Sequence, residues 1–249
     1  MKKAAGAPVG EVAPGIYRLG NRTVDWWAID TPQGITLVDA GLRGHMDQLE
    51  RLLTELGRTF EDVKAILLTH ADVDHIGVAE DIRRRGIPVF IHEADTAAAK
   101  GAMRPLPKEA LFSFWRPTAL VATYEYARDG ALKPRFLRDS QSIEDGRVLD
   151  VPGEPRVLHV PGHSPGSCAF FLADRGTLFT GDALVTADPL SGNRGPTLLP
   201  RYDNVDHDQA LLSLEKLSAT NAELVLPGHG DPWTGGIEAA VTAARDHSG

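Results

Sequence analysis

Apolar and polar positions follow two distinct periods along the first third of the chain. Residues 15–19, 24–29 and 35–38 are short runs rich in β-branched and aromatic side chains, with Pro32-Gln33-Gly34 between the last two. Runs this short and this close predict antiparallel hairpins. Met46, Leu49, Leu53 and Leu56 then recur at helical spacing, and Gly57 supplies a natural stop. Residues 63–69 are nearly all apolar, which fits a strand covered on both faces. Ile76, Ala79 and Ile82 continue as a helix ending at Gly86, and 88–92 form the next strand. The order is β-β-β-α-β-α-β, a mixed α/β layer.

Residues 93–135 break this rhythm. Strand-like runs stop, and Leu111, Phe112, Phe114, Trp115, Leu120, Tyr124 and Tyr126 gather between Pro105 and Pro134. One or two inserted helices are predicted, whose aromatics either pack the insert onto the body or wall a pocket. Beyond Pro134, strands are expected at 156–160, 168–172, 177–180 and 223–226. Helices are expected around Ala210, Leu211, Leu214 and Leu217, and at 237–244. Two mixed sheets face to face with helices outside would satisfy both halves. No repeat or linker divides the chain, so one domain over 1–249 is expected, with a helical insert at 93–135.

Composition mainly excludes. Of 249 residues, 42% are hydrophobic and 24% charged, which is ordinary for a soluble globule and wrong for a disordered or coiled-coil chain. A net charge of −8 repels phosphate backbones, and the basic clusters Lys2-Lys3 and Arg83-Arg84-Arg85 are short. Nucleic acid is therefore disfavoured as a partner. The single cysteine, Cys168, rules out an intrachain disulfide or a Cys-rich zinc site. It lies in an apolar run and reads as a buried, inert thiol. No apolar run approaches the roughly 18 residues of a membrane span. Residues 1–14 carry lysines without the apolar core of a secretory signal. The expected setting is the cytoplasm, without a membrane partner.

Four short segments carry the chemistry. The first, Thr69-His70-Ala71-Asp72-Val73-Asp74-His75, places four potential metal ligands between a buried strand and a helix. On an extended turn, residues two apart project to one side. The second is Pro161-Gly162-His163-Ser164-Pro165-Gly166-Ser167, the third Thr180-Gly181-Asp182, the fourth Pro227-Gly228-His229-Gly230-Asp231. All share one order: strand, tight turn, ligand. A lone Gly-His loop is usually structural, but together the segments point to a metal site at one edge of a sheet scaffold.

These loops, in this order, resemble the metallo-β-lactamase-fold hydrolase superfamily over nearly the whole chain. Leu37-Val38-Asp39-Ala40-Gly41 is similar to its early Asp-bearing strand end. The resemblance implies a four-layer αβ/βα sandwich with a dinuclear metal site at one edge. It implies that His70, the residue at 72 and His163 hold one metal, and that Asp74, His75 and His229 hold the other. Asp182 would bridge them, and Asp39 would orient a ligand histidine. The family's His-x-His-x-Asp-His is here His-x-Asp-x-Asp-His, with Asp72 in place of the second histidine. Asp72 either binds through a carboxylate oxygen, the favoured reading, or leaves the first position weakened. An added carboxylate makes the cluster less positive and its water less acidic. Zinc is the first expectation, and a hard oxygen ligand tilts the site toward iron or manganese.

The implied reaction is hydrolysis of an activated acyl bond in a small molecule by a metal-bound hydroxide, with Asp74 passing a proton to the leaving group. An acyl-ester or lactone substrate is expected. A glyoxalase II-like thioesterase is disfavoured by the short stretch after His229, a β-lactamase by the missing secretion signal. A diiron redox protein or a non-catalytic sensor are the other readings. Trp26 and Trp27 are candidates for the pocket mouth or, equally, for core or edge packing, and Arg194 and Arg201 are candidates for a substrate carboxylate. His45, His92, His159, His207 and His247 read as structural or solvated.

Overall fold

Close hairpin turns build the first sheet. In the computed structural model, which describes residues 10–247 except 103, 105–107 and 110–114, four strands open the chain. β1 (Gly10–Ala13), β2 (Ile16–Gly20), β3 (Asp25–Thr31) and β4 (Gly34–Val38) pair in succession as antiparallel neighbours. Helix α1 (Met46–Glu55) crosses over to β5 (Val63–Leu67), parallel to β4. Helix α2 (Ala79–Arg83) leads to β6 (Val89–His92), and the insert then carries α3 (Thr96–Ala99) and α4 (Pro117–Arg128). β7 (Gln141–Ile143) closes the seven-stranded sheet as a parallel edge.

The second sheet repeats the scheme. β8 (Arg156–His159), β9 (Cys168–Leu172) and β10 (Thr177–Gly181) are antiparallel. A small hairpin, β11 (Val185–Ala187) with β12 (Arg194–Thr197), follows. Helix α5 (His207–Ser218) brings β13 (Leu224–Pro227) back parallel to β10, and α6 (Ile237–Asp246) ends the fold.

Period-two alternation decides which face meets which layer. Trp27, Ile29, Val38 and Leu67 point inward and meet Phe170, Leu172, Phe179 and Leu226 of the second sheet. Trp26, Leu37 and Ile66 point outward against Leu49, Leu52 and Leu53 of α1 and Ile82 of α2. Leu158, Leu178 and Val225 pack outward against Leu214 and Leu217 of α5 and Val241 and Ala244 of α6. The result is the expected four-layer αβ/βα sandwich. Each large core side chain contributes about 1.5–3 kcal/mol by burial.

β1, β7, β11 and β12 lie outside the apolar pattern. β7 buries only Ile143, and β12 is Arg-Gly-Pro-Thr, a composition that sheets tolerate mainly at edges. Trp26 and Trp27 do not flank a pocket mouth: both are fully buried, on opposite faces of β3. Among the described residues of the insert, Tyr126 turns inward while the other aromatics do not pack it onto the body. Trp115 is 76% and Tyr124 66% exposed, and α4 rests on Ala119, Ala122 and Glu125. Leu111, Phe112 and Phe114 lie outside the described residues. Cys168 is buried as expected, and burial raises the pKa of its thiol. Among the described residues, no helix is long and apolar enough to cross a membrane.

Candidate metal centre

All the candidate ligands converge at one edge of the two sheets. The chain leaves β5 into the turn that carries His70, Asp72, Asp74 and His75. Asp39, just past β4, locks that turn from below. It sits at a left-handed φ of 62°, which aspartate tolerates better than most residues. Its carboxylate accepts from Thr69 N at 2.7 Å, from Thr69 Oγ1 at 2.9 Å and from His75 Nδ1 at 2.9 Å. The Thr69 hydroxyl spends its proton on Asp39 and so accepts from His70 Nδ1 at 3.0 Å. One carboxylate thus sets the tautomer of two imidazoles, His75 directly and His70 through Thr69. Both rings turn a bare Nε2 toward the centre, as a metal-binding histidine requires.

The second sheet supplies the rest. His163 follows β8 on a turn clamped by Asp95, which accepts from Ser164 Oγ at 2.6 Å and Gly166 N at 2.7 Å. Asp182 follows Gly181, where a Cβ would stand 2.5 Å from Thr69 Oγ1, so only glycine lets the strand ends meet. His229 follows β13. Its Nδ1 donates to the Thr23 carbonyl in a short hydrogen bond, which turns Nε2 inward. Arg18 braces the same loop, bound to Asp25 through Nε at 2.7 Å and to the Gly230 carbonyl at 2.9 Å.

Two compact donor sets result: His70, His163 and Asp182, and Asp74, His75 and His229. Asp182 lies between them. Its Oδ2 is 3.0 Å from His229 Nε2 and 3.7 Å from His163 Nε2, and its Oδ1 is 3.4 Å from His75 Nε2. Asp72 stands at the lip with half its side chain exposed, its Oδ2 3.2 Å from His163 Nε2 and 3.7 Å from His70 Nε2. Arg194 and Arg201 are mostly exposed and face Asp231 at 3.5 Å and Asp208 at 2.9 Å. His92 and His159 stack on each other at 4.0 Å, and His45 is buried against Leu42 N and Asp129.

The donors fit cations. His70 Nε2, His75 Nε2 and Asp182 Oδ1 are buried without a hydrogen-bond partner, an arrangement that costs free energy unless something positive meets them. Burial alone would raise Asp182, but His229 and His75 outweigh it and hold the carboxyl far below its ordinary value. Burial alone would lower His229, but Asp182 and Asp74 raise it to about 9. The carboxylates pull positive charge into the pocket, a place that divalent ions take by displacing protons. Gly228 leaves no spare room: a Cβ there would stand 2.4 Å from Asp182 Oδ1 and 2.7 Å from His75 Cε1.

Four supporting groups escape sequence reasoning: Thr69, Asp95, Arg18 and Tyr126. Tyr126 reaches in from α4, and its hydroxyl donates to Asp74 Oδ2 at 3.0 Å.

The comparisons agree with this geometry. The metallo-beta-lactamase superfamily model matches residues 19–229. The probable metallo-hydrolase YflN of Bacillus subtilis is 31% identical, over 90% of this chain and 87% of its own. Hydroxyacylglutathione hydrolase GloC of Haemophilus influenzae is 28% identical, over 84% of this chain and 86% of its own. A metallo-beta-lactamase family protein of Thermus thermophilus, TTHA1429, superposes with a TM-score of 0.69 at 29% identity, covering 95% of this chain and 80% of its own. From its fold, its convergent donors and these matches, the chain belongs to the metallo-beta-lactamase superfamily and is one of its metallo-hydrolases.

Proposed function

We propose that this metallo-hydrolase cleaves an activated acyl bond, an ester or lactone, at a centre of two divalent cations. His70, His163 and Asp182 would hold one cation, Asp74, His75 and His229 the other, with Asp182 shared and Asp72 completing the first. The observation that carries the reading is the pair of donor sets meeting at Asp182, with inward nitrogens and oxygen left unpartnered. Bound there, divalent cations acidify a water and draw electron density from the substrate carbonyl. The chain's own residues do the remainder. Asp39 keeps His75 and His70 in the tautomer that presents Nε2. Asp74, less buried than the histidines, is placed to carry a proton toward a leaving group. Zinc suits the imidazole donors, and the Asp72 oxygen opens the first position to iron or manganese. The single domain expected over 1–249 would carry this centre.

A thioester is the second reading, favoured by the similarity to GloC. That relative is matched over 86% of its length, so the short stretch after His229 is no argument against thioester chemistry. Metal analysis with aryl esters, lactones and a hydroxyacylglutathione tests both. Two metal equivalents with ester or lactone turnover support the first reading, and turnover of the glutathione thioester alone replaces it. A protein that takes up no metal after supplementation overturns both.

A further inference from the structure

Helix α4 carries an observation that the catalytic reading leaves unused. Its large side chains Leu120, Val121 and Tyr124 stand exposed. Tyr126 turns the other way, into the centre, where its hydroxyl meets Asp74 Oδ2. That same oxygen lies 3.7 Å from His75 Nε2 and 3.7 Å from His229 Nε2. The hydroxyl and the second cation position therefore share one acceptor atom. A phenol donating to a carboxylate makes a charge-assisted hydrogen bond, roughly twice as strong as a neutral one.

The helix is pinned on both sides of Tyr126. Near its start, Thr118 Oγ1 donates to the Leu190 carbonyl at 3.2 Å, tying α4 to the β11–β12 loop. Just past its end, Asp129 accepts from Asn21 Nδ2 at 2.8 Å and faces His45 Nε2 at 3.4 Å. The Asp129 carbonyl also accepts from Gly44 N at 2.8 Å, and a Cβ on Gly44 would come within 3.0 Å of that oxygen. The hydroxyl is thus presented by a braced element. Less conformational freedom is lost when it binds Asp74 than if its helix were loose.

We propose that Tyr126 is a positioning residue for the Asp74, His75 and His229 set, holding Asp74 Oδ2 toward the second cation, with α4 as its brace. The proposal rests on the two-cation reading above, and the experiment separates the two. The purified full chain is stripped, and its stepwise affinity for zinc alone is measured by chelator competition. Wild type, Tyr126→Phe and Tyr124→Phe are compared, each with a melting temperature for the metal-free form. Loss of a group that orients a ligand typically costs about 10–100-fold in metal affinity. The expected result is that Tyr126→Phe weakens one zinc step by about that factor, leaves the other near wild type and lowers kcat more than it raises KM. Tyr124→Phe, on the exposed side of α4, should match wild type. Unchanged zinc steps in a folded Tyr126→Phe would overturn the proposal. So would equal weakening of both steps with a lowered metal-free melting temperature, which marks a merely structural tyrosine. Should Tyr126→Phe fail to fold, Asp129→Ala removes the side-chain contacts of the brace to Asn21 and His45, away from the centre, and should weaken the same single step. If it leaves both steps intact, the brace is refuted. A wild type that takes up no zinc fails at the earlier level, the cation centre itself.

Discussion

Asp39→Asn separates backbone fit from carboxylate chemistry. Asparagine tolerates the left-handed φ of 62°, so the turn itself should survive. The side chain is nearly isosteric but carries one oxygen in place of two. Thr69 N, at 2.7 Å, is a fixed donor that cannot become an acceptor, so the amide oxygen must face it. The amide NH2 then faces His75 Nδ1, formerly 2.9 Å from an acceptor. An imidazole can answer only by switching tautomer, which moves its proton to Nε2. That nitrogen points at Asp182 Oδ1, 3.4 Å away, and at Asp74 Oδ2, 3.7 Å away. The cation position would then meet an N–H in place of a lone pair. Losing the hydrogen bonds to a buried charge should cost the metal-free protein about 1.5–3 kcal/mol. A misoriented ligand should cost the His75 set about 10–100-fold in affinity, or about 1.4–2.8 kcal/mol. Urea unfolding of the stripped protein reads the first figure and chelator competition the second. If Asp39→Asn binds metal as wild type does, the tautomer argument is wrong even if stability falls.

Gly228→Ala should strip the centre while the backbone accommodates it, because the added methyl collides with Asp182 and His75; a folded variant with full metal content would refute the packing. Asp72→His should raise the share of zinc over iron or manganese in protein grown with mixed metals and shift the activity profile to lower pH; unchanged metal content and profile would exclude Asp72 from the cluster. Glu80 tests acid stability away from the centre. Hydrogen bonds from Arg83, with smaller help from Arg138 N and Arg84, hold its carboxyl down at about 2. A lowered folded value stabilises above the ordinary carboxylate range and is lost as pH falls toward 2. Both arginines are partly exposed, so solvent screening reduces the effect. Glu80→Gln should therefore lose about 1–2 kcal/mol in urea at pH 7, and the difference should shrink between about pH 4.5 and 2 in metal-free protein. A pH-independent difference would assign the loss to packing.

How much of this was legible in the chain depends on distance along it. His70 to His75 lie within one turn, and each remaining candidate ligand follows a strand that its own apolar run betrays, so the candidate donors and the layer order are marked locally in the chain. The supporting groups are not. Tyr126 reaches Asp74 across 52 positions, Asp95 reaches the His163 turn across about 70, and Thr23 meets His229 across 206. Nothing local marks such partners: Asp95 looks like a helix-start residue, and Tyr126 like one more aromatic of the insert. Trp26 and Trp27 stay open between rim and core in sequence for a related reason. A Trp pair looks like a pocket rim, yet strand alternation sends one ring to each face of β3, and both faces are covered.

Each donor triad draws on both halves of the chain: His70 with His163 and Asp182, and Asp74 and His75 with His229. Neither half supplies a complete triad, so a cation held by either set would tie the two layers together. Stripping the protein should accordingly loosen the seam at this edge first, before the buried Trp27 and Phe179 rings at the interior part company.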